Sequence, residues 1–374
     1  MNLDKHIYFN QLNGLRFIAV FIVLMDHWLI PYIPLPIGHL GVVIFFVLSG
    51  FLISRILYIS SDKANQGGIS KWIHLKNFII RRSLRIFPIY YLILLFGLIF
   101  NISEVRENWK WLFSYLPNIY IIVHEKWLGV WDHLWSLAVE EQYYLFFPYF
   151  ILFLPQRKYK YLLYCMLIIG FLSRFFIFLF SSDKFLESSY MVSYVNPISA
   201  IDCFGLGGLL AYFYHYEKEQ FLRIIKLRFT IRISFLMYLI SLLYSHNSEL
   251  QHANIGFSVL ERFFAAIFSF FLIAECVSEK TNFLTNFLIY KPINYLGKIS
   301  YGLYLYHNFI YNYYHFEKNT LWWLLTRKLS THYLELINFV PLKFILNFTI
   351  LVVIASLSWF FIEKPINDLK NKFE

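Results

Sequence analysis

Apolar runs of about twenty residues, each long enough to cross a bilayer, alternate along this chain with short polar connections that hold most of the charge. The runs begin near Leu12, Leu40, Leu84, His133, Lys160, Pro197, Phe229, Ile255, Ile293 and Val340. The pattern predicts an all-α polytopic integral membrane protein of about ten transmembrane helices. One membrane-embedded domain fills residues 1–374, with no internal repeat and no soluble domain. Basic residues cluster in alternate connections. Arg55, Lys63, Lys71, Lys76, Arg81, Arg82 and Arg85 lie between the second and third runs, and Lys218, Arg223, Lys226, Arg228 and Arg232 follow the sixth. The connections Pro34–His39 and His246–Gly256 have no Lys or Arg. The positive-inside rule then places both termini in the cytoplasm.

Three stretches break the regular pattern. Trp111 to Val123 is apolar but short and carries Pro117, which predicts an outer-face interfacial or re-entrant helix. Leu321 to Val340 mixes Trp322 and Trp323 with Arg327 and Lys328, as an amphipathic outer segment would. Ser60 to Ser70, with Gly67-Gly68, reads as a flexible loop.

Composition sharpens the class. Hydrophobic residues make up 59% of the chain and charged residues 15%, against about 25% charged in a soluble domain. The net charge of +10 could suit a nucleic-acid partner. The basic residues sit between apolar runs, however, where the lipid bilayer is their partner and no nucleic acid is implied. Cys165, Cys203 and Cys276 lie in apolar runs without metal-ligand spacing, which suits core packing. The histidines are scattered, so no metal site is implied. The first run is long, charged and lacks a small-residue cleavage site, unlike a cleavable signal peptide.

Several polar groups lie where a membrane helix would ordinarily be apolar. Arg16 and His27 are eleven steps apart, which returns His27 to nearly the same helix face roughly 16 Å further along. They could face one cavity at two depths, or Arg16 could snorkel to headgroups while His27 is a satisfied buried histidine. Arg81, Arg82 and Arg85 fall at the expected start of the third span, where the helix dipole disfavours cations and a polyphosphate would relieve their repulsion. Anchoring to acidic lipid is the competing role. Ser49-Gly50 lies in the second span, where glycine permits close approach of a thin ligand or of another helix. Glu140 and Glu141 sit in the fourth. One could pair with Arg174 or Arg262 and the other could orient a histidine, or both could belong to a structural ion-pair network. Ser300, Tyr304 and His307 line one face of the ninth, suiting a hydroxyl-bearing substrate, a water path or an interhelical hydrogen-bond seam. Asp202, Glu261-Arg262 and Glu275 suit structural pairing, and Glu363 suits pairing with a basic loop.

With these residues in place, the chain resembles the acyltransferase-3 family of bacterial integral membrane O-acyltransferases over nearly its whole length. Arg16-x10-His27 is similar to the family's first-span motif. GVVIFFVLSGF at Gly41–Phe51 is similar to its second span, Arg81-Arg82-x-x-Arg85 to its RRxxR motif, and SYGLYLYH from Ser300 to a ninth-span motif. WSLAVEEQYY from Trp135 resembles a further segment, with Tyr143 where Phe is commoner. The chain ends soon after its last span, like the stand-alone members without an esterase-like domain.

The resemblance implies transfer of an acyl group, commonly acetyl, from cytoplasmic acyl-CoA to a hydroxyl of a cell-envelope glycan or glycolipid. Acceptors in the family range from surface polysaccharide and lipopolysaccharide to macrolide sugars. Acyl-CoA is then a co-substrate, with no permanently bound cofactor, and the setting is the bacterial inner membrane. It implies His27 as catalytic base; the residues themselves suggest Glu140 or Glu141 as the group that orients or charges it, and an acyl-histidine intermediate is a second route. Arg16, Arg81, Arg82 and Arg85, with Ser49 and Gly50, would hold the CoA ester, and Ser300, Tyr304 and His307 would line the acceptor side. The same charges could instead line the path of a transporter or flippase for an envelope glycolipid or small acid. A polysaccharide polymerase fits less well, because the outer connections are modest.

Overall fold

The structure, a computed structural model, describes residues 8–29, 32, 35–102, 104–180, 186–226, 228–246, 254–278, 280–315 and 340–373. The amphipathic segment expected from Leu321 to Val340 lies almost wholly outside them. The described residues form helices and turns without a strand. The first three helices are α1 (Asn10–Leu29), α2 (Gly38–Asn65) and α3 (Lys71–Phe100). The short α4 (Val105–Phe113) and α5 (Pro117–His124) follow, then α6 (Leu134–Phe153), α7 (Tyr159–Phe180), α8 (Leu186–Val195) and α9 (Pro197–Tyr216). Next come α10 (Lys218–Lys226), α11 (Arg228–His246), α12 (Glu261–Cys276), α13 (Phe283–Ile289), α14 (Lys291–Lys298) and α15 (Ser300–His315). After the undescribed stretch come α16 (Val340–Ser358) and α17 (Lys364–Asp368). Seven segments among the described residues are long and apolar enough to cross a membrane. The chain is an all-α polytopic membrane protein.

A helix lies at or near each predicted start, with three differences. The third runs from Lys71, well before Leu84, and contains Pro88. Arg81, Arg82 and Arg85 are therefore near its middle, and the expected conflict with the dipole of a helix start does not arise. The ninth is broken. The amphipathic α14 ends at Lys298 and α15 begins at Ser300. The loop expected from Ser60 to Ser70 shrinks to 66–70, with Gly67 at φ +84° making the turn. The last turns of α2 stay helical because Asp62 accepts hydrogen bonds from His215 at 2.7 Å and Tyr216 at 2.9 Å. Trp111 to Val123 lies on α4 and α5. The eight residues of α5 rise only about 12 Å, far short of the ~30 Å hydrocarbon core.

The helix α2 is central: 72% of its apolar window is buried, against 22% for those of α7 and α16. It packs most extensively on α9, and α1 packs on α2 and α14. Glycines set the close approach of α2 and α9. A Cβ on Gly50 would collide with the backbone of Phe204, and one on Gly207 with the Val47 carbonyl and, at 2.6 Å, the Phe51 nitrogen. Gly50 is thus a helix-packing glycine, and its open face is filled by α9. Of the cysteines, Cys203 and Cys276 are buried as core residues, whereas Cys165 is exposed on α7.

Polar groups at depth find partners inside the bundle. Arg174 donates to both carboxylate oxygens of Asp202, at 2.9 and 2.5 Å. Arg262 donates to His39 Nε2 at 3.1 Å, and His39 Nδ1 lies 3.0 Å from Glu261. Neither arginine pairs with Glu140 or Glu141, because Asp202 and the His39–Glu261 pair already occupy them. Asp26 turns away from the site and its carboxylate lies against Gly38 at the start of α2, where a negative charge complements the helix dipole.

Replacing Gly207 with alanine should destabilise the bundle by about 2 kcal/mol or more, because two backbones must move apart. Thermal melting in detergent measures this, and an unchanged melting temperature would contradict the packing described. In the connection before α6, burial and the charge of Glu104 push the Asp132 carboxyl up to about 7. The folded chain therefore binds a proton there that the unfolded chain has released, and this contribution to stability falls as pH rises from about 4 towards 7. Asp132→Asn should flatten that part of the melting-temperature profile. An identical profile in the variant would refute the assignment.

Candidate active site

A cavity of about 90 Å³ opens among α1, α2, α3, α6 and α15. Its polar lining is Arg16, Ser49, Arg82, Arg85, Ser136, Glu140, Glu141, Tyr144, Ser300, Tyr301 and Tyr304. The rest is apolar and comes largely from α2, including Phe45, Phe46 and Leu52. The helical repeat explains the convergence. Ser49, Leu52 and Ile53 share one stripe of α2, as do Arg82, Arg85 and Ile86 of α3.

Three guanidiniums, those of Arg16, Arg82 and Arg85, are gathered at this cavity. Arg16 donates to Asn13 Oδ1 at 3.2 Å, and Asn13 donates in turn to Tyr8 at 2.8 Å. Arg82 lies over the ring of Tyr144, 5.5 Å from its centroid. Among the described residues none of the three forms an ion pair. Three clustered cations against two carboxylates, with no ion pair formed among the described residues, leave room for an anionic ligand. Arg81 is separate. It points to the C-terminal segment and donates to the Phe373 carbonyl at 2.9 Å.

The two neighbouring glutamates diverge, as helix geometry requires. Glu140 accepts from Ser49 and from Tyr144, the latter at 2.5 Å. One Glu141 oxygen is buried without a hydrogen-bond partner. Neither orients His27. Gln142 completes the motif structurally: it exchanges hydrogen bonds with Asn118 at 3.0 and 3.1 Å and pins α6 to α5.

Ser300 and Tyr304 line the same cavity as the arginines. The Tyr304 hydroxyl lies 2.6 Å from Ser136 and donates to the His133 carbonyl at 3.1 Å. One turn further along α15, His307 is fully buried and its Nε2 is 2.9 Å from His27 Nδ1. A third ring, His133, has its centroid 5.0 Å from that of His307. His27 is partly accessible, whereas His133 and His307 are buried. Neither His27 nor His307 lines the arginine cavity. They lie behind Tyr304, towards the opposite end of α1. Sequence reasoning had marked His133 only as the start of a span. Its position just before Trp135-Ser136-Leu137 was the available signal.

The fold and site are those of a polytopic helical membrane protein with a cationic cavity on one side of Tyr304 and a histidine pair on the other. Comparison with known proteins decides the family: a family model described as an acyltransferase domain matches residues 9–363, and the chain belongs to this acyltransferase-3 family. It is 29% identical over 390 residues to the peptidoglycan O-acetyltransferase OatA of Listeria monocytogenes, covering 98% of this chain and 56% of that protein. It is 30% identical over 318 residues to the O-acetyltransferase OatA of Staphylococcus aureus, covering 80% of this chain and 50% of the relative. The chain thus spans about half the length of the curated relatives it matches. No solved structure matches.

Proposed function

We propose that this chain is an inner-membrane O-acyltransferase that moves an acetyl group from cytoplasmic acetyl-CoA to a hydroxyl of a cell-envelope glycan. The observation that carries the reading is the convergence of Arg16, Arg82 and Arg85, without ion-pair partners, on a cavity that leads to Tyr304, one turn from His307 and His27. The names of the relatives make peptidoglycan the first acceptor to test.

The cavity's 90 Å³ is well below the hundreds of Å³ of an ordinary ligand pocket, so it suits a slender chain rather than a sugar. The arginines bind the phosphates of the CoA ester by charge-assisted hydrogen bonds. The pantetheine arm, on the order of 15–20 Å long, matches the rise of roughly 16 Å from Arg16 to His27. The thioester is thereby brought to His27 from one side of the membrane while the acceptor approaches from the other. His27 takes the proton of the acceptor hydroxyl as its oxygen bonds to the acyl carbon. The carbon–sulfur bond breaks, and the proton passes from His27 to the departing thiolate, giving the ester and free CoA. Glu140, held by Ser49 and Tyr144, shapes the passage beside Arg82.

In liposomes with labelled acetyl-CoA and peptidoglycan precursors, wild type should transfer label and His27→Ala should not, while still binding CoA. Transfer by the variant at the wild-type rate would remove His27 from the mechanism. Arg82→Ala and Arg85→Ala should each weaken acetyl-CoA binding by about ten- to a hundredfold, the equivalent of one charge-assisted hydrogen bond. Arg81→Ala should change it little. Equal losses at all three positions would mean that binding follows net charge rather than the cavity.

A further inference from the structure

We propose that His307 is a positioning residue. It holds His27 in the tautomer with the proton on Nδ1, so that Nε2 is the basic nitrogen. This deepens the proposed reaction and rests on it for the role of His27.

The assignment follows from the hydrogen bonds. His307 Nδ1 lies 2.5 Å from the Tyr304 carbonyl oxygen. A carbonyl only accepts, so this nitrogen carries a proton. No carboxylate is bonded to His27 or His307 among the described residues, and Asp26 lies against Gly38 at the start of α2. An unpaired charge in this apolar interior would be costly, so both rings are neutral at rest. A neutral His307 with its proton on Nδ1 has a lone pair on Nε2. That lone pair faces His27 Nδ1 at 2.9 Å. Two lone pairs do not meet at that distance, so the proton between them belongs to His27 Nδ1. The remaining nitrogen of His27, Nε2, is left with its lone pair.

His133 holds the second ring in place. Its Nε2 lies 3.0 Å from the Leu305 carbonyl, which puts its proton there, and its ring packs edge-on against His307. The element that fixes the tautomer is therefore a neutral imidazole anchored to the backbone of its own helix, where a catalytic triad uses a carboxylate. During transfer the acceptor proton is taken by Nε2, the oxygen–carbon bond forms, the carbon–sulfur bond breaks and the proton goes to sulfur. The Nδ1 proton stays on His27 throughout, donated to His307.

The test uses the full chain, labelled with ¹³C and ¹⁵N in histidine, in lipid nanodiscs. Ring NMR shifts distinguish the two neutral tautomers, and His27→Ala identifies the His27 signals by their loss. Wild-type His27 should be protonated at Nδ1, and His307→Leu should lose that preference. A wild-type His27 protonated at Nε2 would overturn the proposal. In the transfer assay, His307→Leu should lower kcat at least a hundredfold with little change in KM for acetyl-CoA. His307→Gln should recover to within tenfold of wild type, because its amide oxygen can accept the same proton. If His307→Gln retains the Nδ1 tautomer and is as inactive as the leucine variant, the positioning role is wrong. Absence of transfer by wild type would count against the proposed reaction, and the NMR shifts would still decide the tautomer.

Discussion

The helices α2 and α9 approach so closely that neither can carry a side chain where they cross, and the layout of the site depends on that contact. Gly50 lies against the backbone of Phe204 and Gly207 against that of Val47 and Phe51. With one face of α2 committed to α9, the stripe with Val42, Phe45, Ser49 and Leu52 is turned to the cavity. There α1, α3, α6 and α15 complete the wall. Between helices in lipid there is little hydrophobic drive, so small residues at a crossing carry much of the association. A shift of α2 along this contact would displace Ser49 from Glu140 and widen the passage beside it.

The polar residues of the bundle then fall into two groups. Some sit in ion pairs or hydrogen-bonded clusters and read as structural, although Arg174 Nε and Glu261 Oε2 have no hydrogen-bond partner. Arg174 with Asp202, Arg262 with His39 and Glu261, and Asp62 with His215 and Tyr216 each tie two or more helices together. The others form no ion pair among the described residues and gather around α1, α3, α6 and α15. Arg16, Arg82 and Arg85 form no ion pair among the described residues although Glu140 and Glu141 line the same cavity, a Glu141 oxygen is unpartnered, and His27 is partly accessible. Charge without an ion pair at membrane depth is expensive, and three such arginines at one cavity set it apart from the paired sites.

Much of this was legible before any coordinates. The long apolar runs determined the helices, because a span needs about twenty apolar residues whatever surrounds it. The spacing of Arg16 and His27 placed both on one face of α1, because helical periodicity is local. Ser300, Tyr304 and His307 were placed on one stripe of α15 for the same reason. The extent of α3 was not legible. Lys71 to Arg82 is polar enough to resemble a connection, yet it is helical, with Leu75 and Phe78 buried. The break at Ile299 was hidden as well, since Gly297 just before it reads equally well as a packing glycine, and it does lie against the backbone of Asn13.

Tertiary structure alone decided which polar groups meet. His27 and His307 are 280 positions apart, and nothing local to either names the other. The glutamates beside Trp135-Ser136-Leu137 were the obvious carboxylates to orient His27. Their directions around α6 took one to Ser49 and Tyr144 and left an oxygen of the other unpartnered. Arg81, Arg82 and Arg85 look equivalent in sequence, but the rotation of α3 turns Arg81 to the C-terminal segment and the other two to the cavity. Periodicity determines the face a side chain occupies on its own helix. The partner found there depends on the rotation and depth of a second helix, which are set by packing between residues far apart in the chain.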